Sequence, residues 1–388
     1  MTDSSSSFDA FLFEQDDPAR RGEAHGEQWR AEIRELAEIR SELALKKGSF
    51  TGRAQLDAVA RLHLPLLDNF SAPLAAELRG IARGAGVPPE AVVVLNHYTD
   101  LRDVPPSVLE GPCPEDPVVS DSFHALNTNA DDPGGCTAVY LPGLDAPVLG
   151  QTWDMHGTAE PFVRAIRIKP RGGDDEVVCF TLTGCLGMTG VSARGVAVTI
   201  NNLSSTDGQV GVVWPALVRA MLACASAREA RDLLLRTRLS SGHHYMIADG
   251  REFYGVETSG KLKVVTQTGA RAAHLHTNHC FDPVLRRHEA VPKASTSFRR
   301  MELATTLYVQ QRPQDARALW TMLSSHDGYP RSVCSHIDDA GGDPSASKTC
   351  GRMIVDLTRG EVLVGRGCGQ IEPPTVVKLD RWRGGHVP

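Results

Sequence analysis

Residues 131–154 read DDPGGCTAVYLPGLDAPVLGQTWD. A loop of aspartate, proline and paired glycine runs into Cys136, and short stretches rich in β-branched residues follow it. A cysteine at the mouth of a strand, entered from glycine, has the geometry of a self-cleaving precursor. Its thiolate must reach the carbonyl of Gly135, and glycine obstructs that approach least. Attack gives a thioester to Cys136, which water hydrolyses, leaving an α-amine on the same residue as the thiol. Such an amine titrates at about 7.7–8.0. It can therefore act as general base for its own nucleophile. On Gly134-Gly135-Cys136-Thr137 alone, a plainer reading is the stronger: a small buried residue at a strand start, as most free cysteines are. The rest of the chain has to decide.

Downstream of Cys136 the texture is that of strands. CTAVYLP, PVLGQTW, FVRAIRI, EVVCFTLTG and GVAVTINNL are short and bounded by glycine or proline. Helical periodicity returns over 214–224 and 227–236, after which HHYMIADG, REFYGVET, KLKVVTQ and AAHLHTN read as a meander of strands. Helices are expected over 297–309 and 313–323. A closing hairpin joins 352–357 to 361–364 across Thr358-Arg359-Gly360. Upstream, Trp29, Ile33, Leu36, Ile39, Leu43 and Leu45 recur mostly at three- and four-residue spacings, predicting a helix over 27–47. Segments 56–67 and 75–83 continue the pattern, and Pro88-Pro89-Glu90 opens another helix. Between 103 and 135 the periodicity is lost and the chain reads as an exposed loop.

The expected division is a flexible N-terminus at 1–17, a helical pro-segment at 18–135 that becomes a small subunit, and a catalytic subunit at 136–388. Runs of strands alternating with pairs of helices suit an α+β layered sandwich better than a doubly wound sheet. A chain of 388 residues is long enough for such a core. The net charge of -6 supplies no field that would gather polyphosphate, so nucleic acid is not an expected partner. No run of about 18 apolar residues exists, so no membrane span is expected. The acidic N-terminus, whose apolar patch is only Phe11 to Phe13, does not read as an export signal, and the chain reads as cytoplasmic. Nine cysteines without CxxC spacing argue against a disulfide scaffold and against a structural zinc site. No metal and no cofactor are expected.

Several motifs, in order, carry a family resemblance. Gly135-Cys136-Thr137 is followed by Gly150-Gln151-Thr152-Trp153-Asp154, then Gly195-Val196-Ala197-Val198 with Asn201 and Leu203, then His276-Thr277-Asn278-His279-Cys280. Ahead of them stand Gly22 with His25-Gly26, Leu78-Arg79-Gly80-Ile81-Ala82, and Leu95-Asn96 with Thr99-Asp100. Behind them stand Arg299-Arg300-Met301-Glu302, Tyr329-Pro330 with Ser332 and Cys334, and Val364-Gly365-Arg366. Together these resemble the acyl-coenzyme A:isopenicillin N acyltransferase family of N-terminal-nucleophile hydrolases, over roughly residues 18–370. The resemblance implies a four-layer αββα sandwich with an N-terminal helical arm, cleavage before Cys136, and a thioester acyl-enzyme. It implies a heterodimer of the two cleaved pieces, with higher oligomers left open, acting on a small amide or thioester. Small N-acyl or N-β-aminoacyl amines are the substrate class it suggests, with hydrolysis favoured over transfer because no coenzyme A site is recognisable.

Three roles are carried over by matching position. Cys136 is the nucleophile, Asp154 orients its amine, and Asn278 donates its amide to the oxyanion, a contribution of about 2.7–4 kcal/mol when one such donor is removed. Asn201, Thr137 and Trp153 are candidate oxyanion or substrate contacts. Read without the family, Asp154 also fits a turn cap before Met155-His156-Gly157, Asn278 a loop residue bonding its own backbone, and Asn201 a strand-ending turn with Asn202. His243 and His244 alternate faces of a strand, so at most one can face a pocket. Ser325-His326-Asp327 has the residue types of a serine triad, but neighbours in sequence cannot supply its geometry. Gly365-Arg366-Gly367-Cys368-Gly369 lacks the context of a dinucleotide loop and reads as a turn. Arg164 and Arg167 are candidates for a substrate carboxylate or for a solvated strand edge. Two departures from the family stand out: Leu101-Arg102-Asp103 with a long linker to Cys136, and Ala346 where a basic residue is expected. Besides an amidase, two other readings stand: an uncleaved binding protein, and a cysteine hydrolase using His276, His279 or His326 as base.

Overall fold

The computed structural model describes residues 8–111, 135–143, 147–173, 176–336 and 346–384. Most of the expected 103–135 loop, residues 1–7 and Ala346's neighbours at 337–345 lie outside the described residues. After a short strand β1 (Ala10–Phe13) come five helices: α1 (Pro18–Gln28), α2 (Arg30–Lys47), α3 (Arg53–Phe70), α4 (Ala72–Ala85) and α5 (Pro89–Leu101). The expected helix at 27–47 breaks at Trp29, whose φ of -125° and ψ of 37° end α1 and start α2. Asp17 caps α1 by accepting the Ala19 N–H at 2.7 Å, and proline opens both α1 and α5, where its missing N–H costs nothing.

Helices α1 and α4 cross at glycines. A Cβ on Gly22 would lie 2.0 Å from the Glu77 carbonyl oxygen, and one on Gly80 would lie 2.3 Å from that of Ala19. Side chains at these positions would drive the two helices apart, which explains the glycines of the His25-Gly26 and Arg79-Gly80 motifs.

The remaining strands are β2 (Ala138–Leu141), β3 (Val148–His156), β4 (Val163–Ile168), β5 (Val177–Leu182), β6 (Thr189–Ser192) and β7 (Ala197–Leu203). Helices α6 (Trp214–Leu222) and α7 (Ala227–Arg236) precede β8 (Gly242–Ala248), β9 (Phe253–Thr258), β10 (Lys263–Thr268) and β11 (His274–His276). Helices α8 (Ser297–Gln311) and α9 (Ala316–Leu323) lead to β12 (Ser347–Asp356), β13 (Glu361–Arg366) and β14 (Thr375–Lys378). One sheet has the order β1-β4-β5-β6-β7-β8-β9-β10 and the other β11-β2-β3-β12-β13-β14. Their faces meet, with β7 against β2 and β3, and β6 against β12. The buried Gln151 side chain on β3 accepts the Ile200 N–H on β7 at its Oε1, at 2.7 Å, bonding one sheet to the other. Helices α6 and α7 cover the larger sheet, and α8 and α9 the smaller. The architecture is the four-layer αββα sandwich.

Two expectations need correction. Residues 10–13 are not part of a flexible N-terminus: Ala10 to Phe13 pair in parallel with Ala165 to Ile168, and Phe13 is buried against His25 and Trp29. Burying aromatic surface there offsets the entropy of ordering a short segment. The stretch AAHLHTN does not continue the meander of β8, β9 and β10; β11 crosses to the other sheet and pairs with β2, His274 against Tyr140. Among the described residues no helix is long and apolar enough to cross a membrane.

Candidate active site

Strand β2 starts two residues after Cys136, and one more backbone pair extends its end of the sheet to Gly135. The Gly135 N–H donates to the Asp154 carbonyl at 3.0 Å, and the Asp154 N–H donates to the Gly135 carbonyl at 2.5 Å. The Gly135–Cys136 peptide is thus pinned to the middle of the sheet, with its carbonyl oxygen already accepting a hydrogen bond. The Cys136 N–H donates to Asn278 Oδ1 at 2.7 Å. The Cys136 carbonyl accepts from Asn201 Nδ2 at 3.0 Å and from Arg300 Nη1 at 2.7 Å.

Arg300 lies fully buried on the inward stripe of α8 with Ser297, Ala304 and Leu307. A guanidinium there is tolerable only if its donors are met. They are met by the Cys136 carbonyl, Thr137 Oγ1 at 3.2 Å, Asn278 Oδ1 at 2.7 Å and Thr296 Oγ1 at 3.0 Å. Its charge faces Asp154, with Nε 3.7 Å from Oδ2.

Asp154 is itself 1% exposed and sits inside β3, so the turn-cap reading fails: no turn is present at that position. Burial raises its carboxyl above the usual range, while Arg300 and the Thr349 hydroxyl, donating at 2.7 Å, pull it back. Its Oδ2 makes no hydrogen bond. Burial, with the Asp154 charge adding to it, pushes the Cys136 thiol up to about 12. At neutral pH the thiol therefore keeps its proton until a local base removes it.

Gly135, Cys136, Asp154 and Asn278 line a cleft of about 1020 Å³, its open mouth included. Trp153, Met155, Met188, Ile200 and Trp214 give it apolar walls. The helical arm supplies Arg40, Tyr98 and, just beyond α5, Asp103, whose carboxyl burial raises to about 6. The arm is therefore part of the cleft, not merely a leader to it.

A family profile described as acyl-coenzyme A:6-aminopenicillanic acid acyl-transferase matches residues 143–342. The chain belongs to that family. The acyl-coenzyme A:6-aminopenicillanic-acid-acyltransferase 40 kDa form of Emericella nidulans is 25% identical over 325 residues, which are 82% of each chain. Among solved structures, an N-acylethanolamine-hydrolyzing acid amidase ortholog from Caenorhabditis elegans is 12% identical, covering 57% of this chain and 93% of its own, with a TM-score of 0.37. Penicillin V acylase from Agrobacterium tumefaciens is 15% identical, covering 64% and 88%, with a TM-score of 0.35. Both overlaps are loose, and the architecture rests on the strand pairing itself. The architecture of this acyl-transferase family member is the αββα sandwich described above, and acyl transfer is the chemistry its family's description names.

The family member brings Cys136, Asp154 and Asn278 together from the segment just before β2, from β3 and from the segment after β11. Asn278 does not bond its own backbone; its side chain reaches Cys136, Arg300 and the Asn202 carbonyl, the last at 2.9 Å. Asn201 lies within β7, not at a turn, and contacts Cys136 only through the main-chain carbonyl. Thr137 is likewise buried, and of the three further candidates only Trp153 lines the cleft. His243 lines it too, with Nε2 2.8 Å from Asp100 Oδ1, while His244 points the other way, stacked on His276 at 3.6 Å. Arg164 and Arg167 pair with Glu32 and with Glu176 and Asp380, and neither lines the cleft.

Arg300 stands in the Arg299-Arg300-Met301-Glu302 motif, and its bond to the Cys136 carbonyl is the main feature of the site that the sequence does not reveal. The available signal was a charged residue on the apolar stripe of α8. Candidate histidine bases are otherwise engaged: His276 with Glu257 at 2.9 Å and the Thr277 carbonyl, His279 with Ser297 at 2.8 Å. Metal-ligating side chains converge at His326, Cys334, His336 and Cys368, none of which lines the cleft.

Proposed function

We propose that the chain cuts itself between Gly135 and Cys136, and that the freed Cys136 then works as an N-terminal nucleophile on small N-acyl amines. The supporting observation is the double backbone bridge between Gly135 and Asp154. It holds the scissile carbonyl at the floor of the cleft, in a 2.5 Å hydrogen bond from the Asp154 N–H. In the first step the Cys136 sulfur attacks the Gly135 carbon, and the thiol proton passes to the Asp154 carboxylate, which burial makes a stronger base. The oxyanion that develops inherits the Asp154 N–H as a ready donor. The C–N bond then breaks, the nitrogen takes up a proton and becomes the α-amine, and water hydrolyses the thioester to release the Gly135 carboxylate.

In turnover the α-amine removes the thiol proton, the sulfur attacks the substrate carbonyl, and a thioester acyl-enzyme forms as the amine product leaves. The departure of Gly135 frees the Asp154 N–H to receive the substrate oxyanion. Asn278 and Arg300 keep Cys136 in register through its nitrogen and carbonyl. The apolar walls suit an aliphatic or aromatic acyl or amine group. A second reading, transfer from an acyl-coenzyme A thioester, is favoured by the likeness to the Emericella nidulans acyltransferase over 82% of each chain.

Intact mass of the purified protein tests the cut: pieces ending at Gly135 and beginning at Cys136 are expected. A chain that stays whole through long incubation would overturn the proposal and favour a binding protein of the same fold. Assaying the cut enzyme with N-acyl amines in water, and then with acyl-coenzyme A plus an amine, separates hydrolysis from transfer.

A further inference from the structure

Outside the cleft, four side chains from three segments bring their ligand atoms to one point. His326 follows α9, Cys334 and His336 lie in the loop that comes next, and Cys368 lies in the turn after β13. The Cys334 sulfur is 3.6 Å from His336 Nε2 and 4.0 Å from the Cys368 sulfur. The Cys368 sulfur is 3.2 Å from His326 Nε2, which is 3.1 Å from His336 Nε2. All four atoms lie within 4.8 Å of one another. A tetrahedral ion with Zn–S bonds of about 2.3 Å and Zn–N bonds of about 2.0–2.1 Å has S···S, S···N and N···N edges of roughly 3.8, 3.6 and 3.3 Å. Four of the six edges fit that tetrahedron to within about 0.4 Å, and the remaining two, Cys334 to His326 and Cys368 to His336, are no longer than 4.8 Å.

We infer that His326, Cys334, His336 and Cys368 form a structural zinc site. Two thiolates and two imidazoles are the donor set that selects zinc among common divalent ions. Four protein ligands leave no open position, and Cys334 and His336 are buried, so the site is of the structural and not the catalytic kind. A disulfide does not account for the geometry, since 4.0 Å is about twice an S–S bond.

The surroundings fit a thiolate at Cys334. Arg352, 1% exposed, donates from Nη2 to the Cys334 sulfur at 3.2 Å and to the Gly367 carbonyl at 3.1 Å, and from Nη1 to Ser324. Among the described residues no carboxylate pairs with that buried guanidinium. An N–H donor to a ligating sulfur is the kind of outer partner that orients and stabilises a metal thiolate. The ordinary signature of a zinc ribbon is missing because only Cys334 and His336 are close in sequence, and the other two ligands arrive from elsewhere in the fold.

The site also has a place in the architecture. Ser335, between two of the ligands, donates its N–H to Thr349 Oγ1 at 2.8 Å and accepts the Thr349 N–H at 2.9 Å. Thr349 in turn donates to Asp154. Binding would fasten the loop that holds Thr349, the β12 partner of Asp154. Each thiol loses its proton on binding, so metal uptake weakens as pH falls.

Elemental analysis of the full chain, produced in zinc-supplemented medium and gel-filtered, is expected to find about one zinc per chain. After removal of the metal with a chelator, titration with Co²⁺ should give one equivalent of tetrahedral absorption with thiolate-to-cobalt charge transfer. Alkylation of Cys334 and Cys368 should be slow in the zinc form and at least tenfold faster after chelation, read by peptide mass. The double variant Cys334→Ser, Cys368→Ser should lose the metal, and Cys224→Ser should retain it. Absence of both zinc and the cobalt spectrum in the unaltered chain would overturn the inference. So would a Cys334–Cys368 disulfide in unreduced peptides, or zinc retained by the double variant.

Discussion

The hydroxyl of Thr349 donates to Asp154 Oδ1 at 2.7 Å while its oxygen accepts the Ser335 N–H at 2.8 Å. One side chain on β12 therefore sets the orientation of the carboxylate beside Cys136. Thr349→Val keeps the shape but removes the 2.7 Å donor to Asp154 Oδ1 and the acceptor of the Ser335 N–H. A hydrogen bond to a charged group contributes about 1.5–3 kcal/mol, so self-cleavage should slow roughly 10- to 100-fold. Losing a donor to the ionised form also raises the Asp154 pKa further, so the acid limb of the cleavage profile should move to higher pH. A time course of cleavage at several pH values reads both. An unchanged profile would remove Asp154 from the reaction.

Gly135 has a steric reason to be glycine. A Cβ there would lie 2.0 Å from Arg300 Nη2 and 2.6 Å from Asn278 Oδ1. Neither can give way easily, because Arg300 is fixed by four acceptors and Asn278 by the Cys136 N–H and the Asn202 carbonyl. Overpacking of this kind costs about 1–3 kcal/mol. In Gly135→Ala the uncut chain should accumulate, as seen by intact mass, while circular dichroism stays native. Cleavage at the normal rate would show that the scissile peptide is not held as described.

How much of this was legible in the sequence follows from what kind of contact each feature is. Leu36 and Leu43 announce their helix because a 3.6-residue period is written in neighbouring positions, and both are buried. The strand-like runs CTAVYLP and PVLGQTW announce β2 and β3 for a similar reason. Cys136 and Asp154 could be paired only through the ordered family motifs that contain them, Gly135-Cys136-Thr137 and Gly150-Gln151-Thr152-Trp153-Asp154. Arg300 could not, since its bond to the Cys136 carbonyl spans 164 positions and nothing local requires it. The convergence of His326 with Cys368 has the same character. β6 was missed because four residues between glycine turns carry too little alternation to register, and β1 because its partner strand lies some 150 residues away.

Arg300→Met, made in a Cys136→Ala background so that cleavage does not intrude, removes the only cation within ion-pair reach of Asp154 among the described residues. It also strips donors from the Cys136 carbonyl and Asn278. Breaking a buried pair by taking away one partner costs about 3–5 kcal/mol. The urea midpoint should fall accordingly. Arg300→Lys should recover only part of the loss, because a single ammonium cannot span four separated acceptors. A variant as stable as its parent would mean that the network is incidental.

Buried histidines give the fold a defined acid sensitivity. Burial lowers His25 and His97 to about 4 and His63 to about 3. Between those values and the unfolded pKa of about 6.5, the unfolded chain binds protons that the folded chain does not. Stability is thus fully present above pH 6.5 and declines as pH falls towards 4. Each histidine contributes a slope of about 1.4 kcal/mol per pH unit in that window. Urea unfolding at pH 7.5, 6 and 5 should give falling stability, with a shallower slope in His97→Gln. A flat response would show that these imidazoles are protonated in the native state.

The arm should remain with the body after the cut. Glu77 on α4 accepts from Arg21 on α1 at 2.7 Å and from Arg219 on α6 at 3.0 Å, and all three are buried. Asn96 on α5 adds a bond from Nδ2 to the Gly184 carbonyl at 2.8 Å, and its own Oδ1 accepts the Leu186 N–H at 2.9 Å. Severing Gly135 from Cys136 touches none of these contacts, so both pieces should co-elute in size-exclusion chromatography. Glu77→Gln leaves two buried guanidinium groups without a counter-charge and should cost about 3–5 kcal/mol. The cut variant is therefore expected to release its arm at lower urea than the cut parent, and to lose activity together with it, since Arg40, Tyr98 and Asp103 go with the arm. If the cut parent sheds its N-terminal piece in plain buffer and stays active, the arm is a disposable leader and the cleft is complete without it.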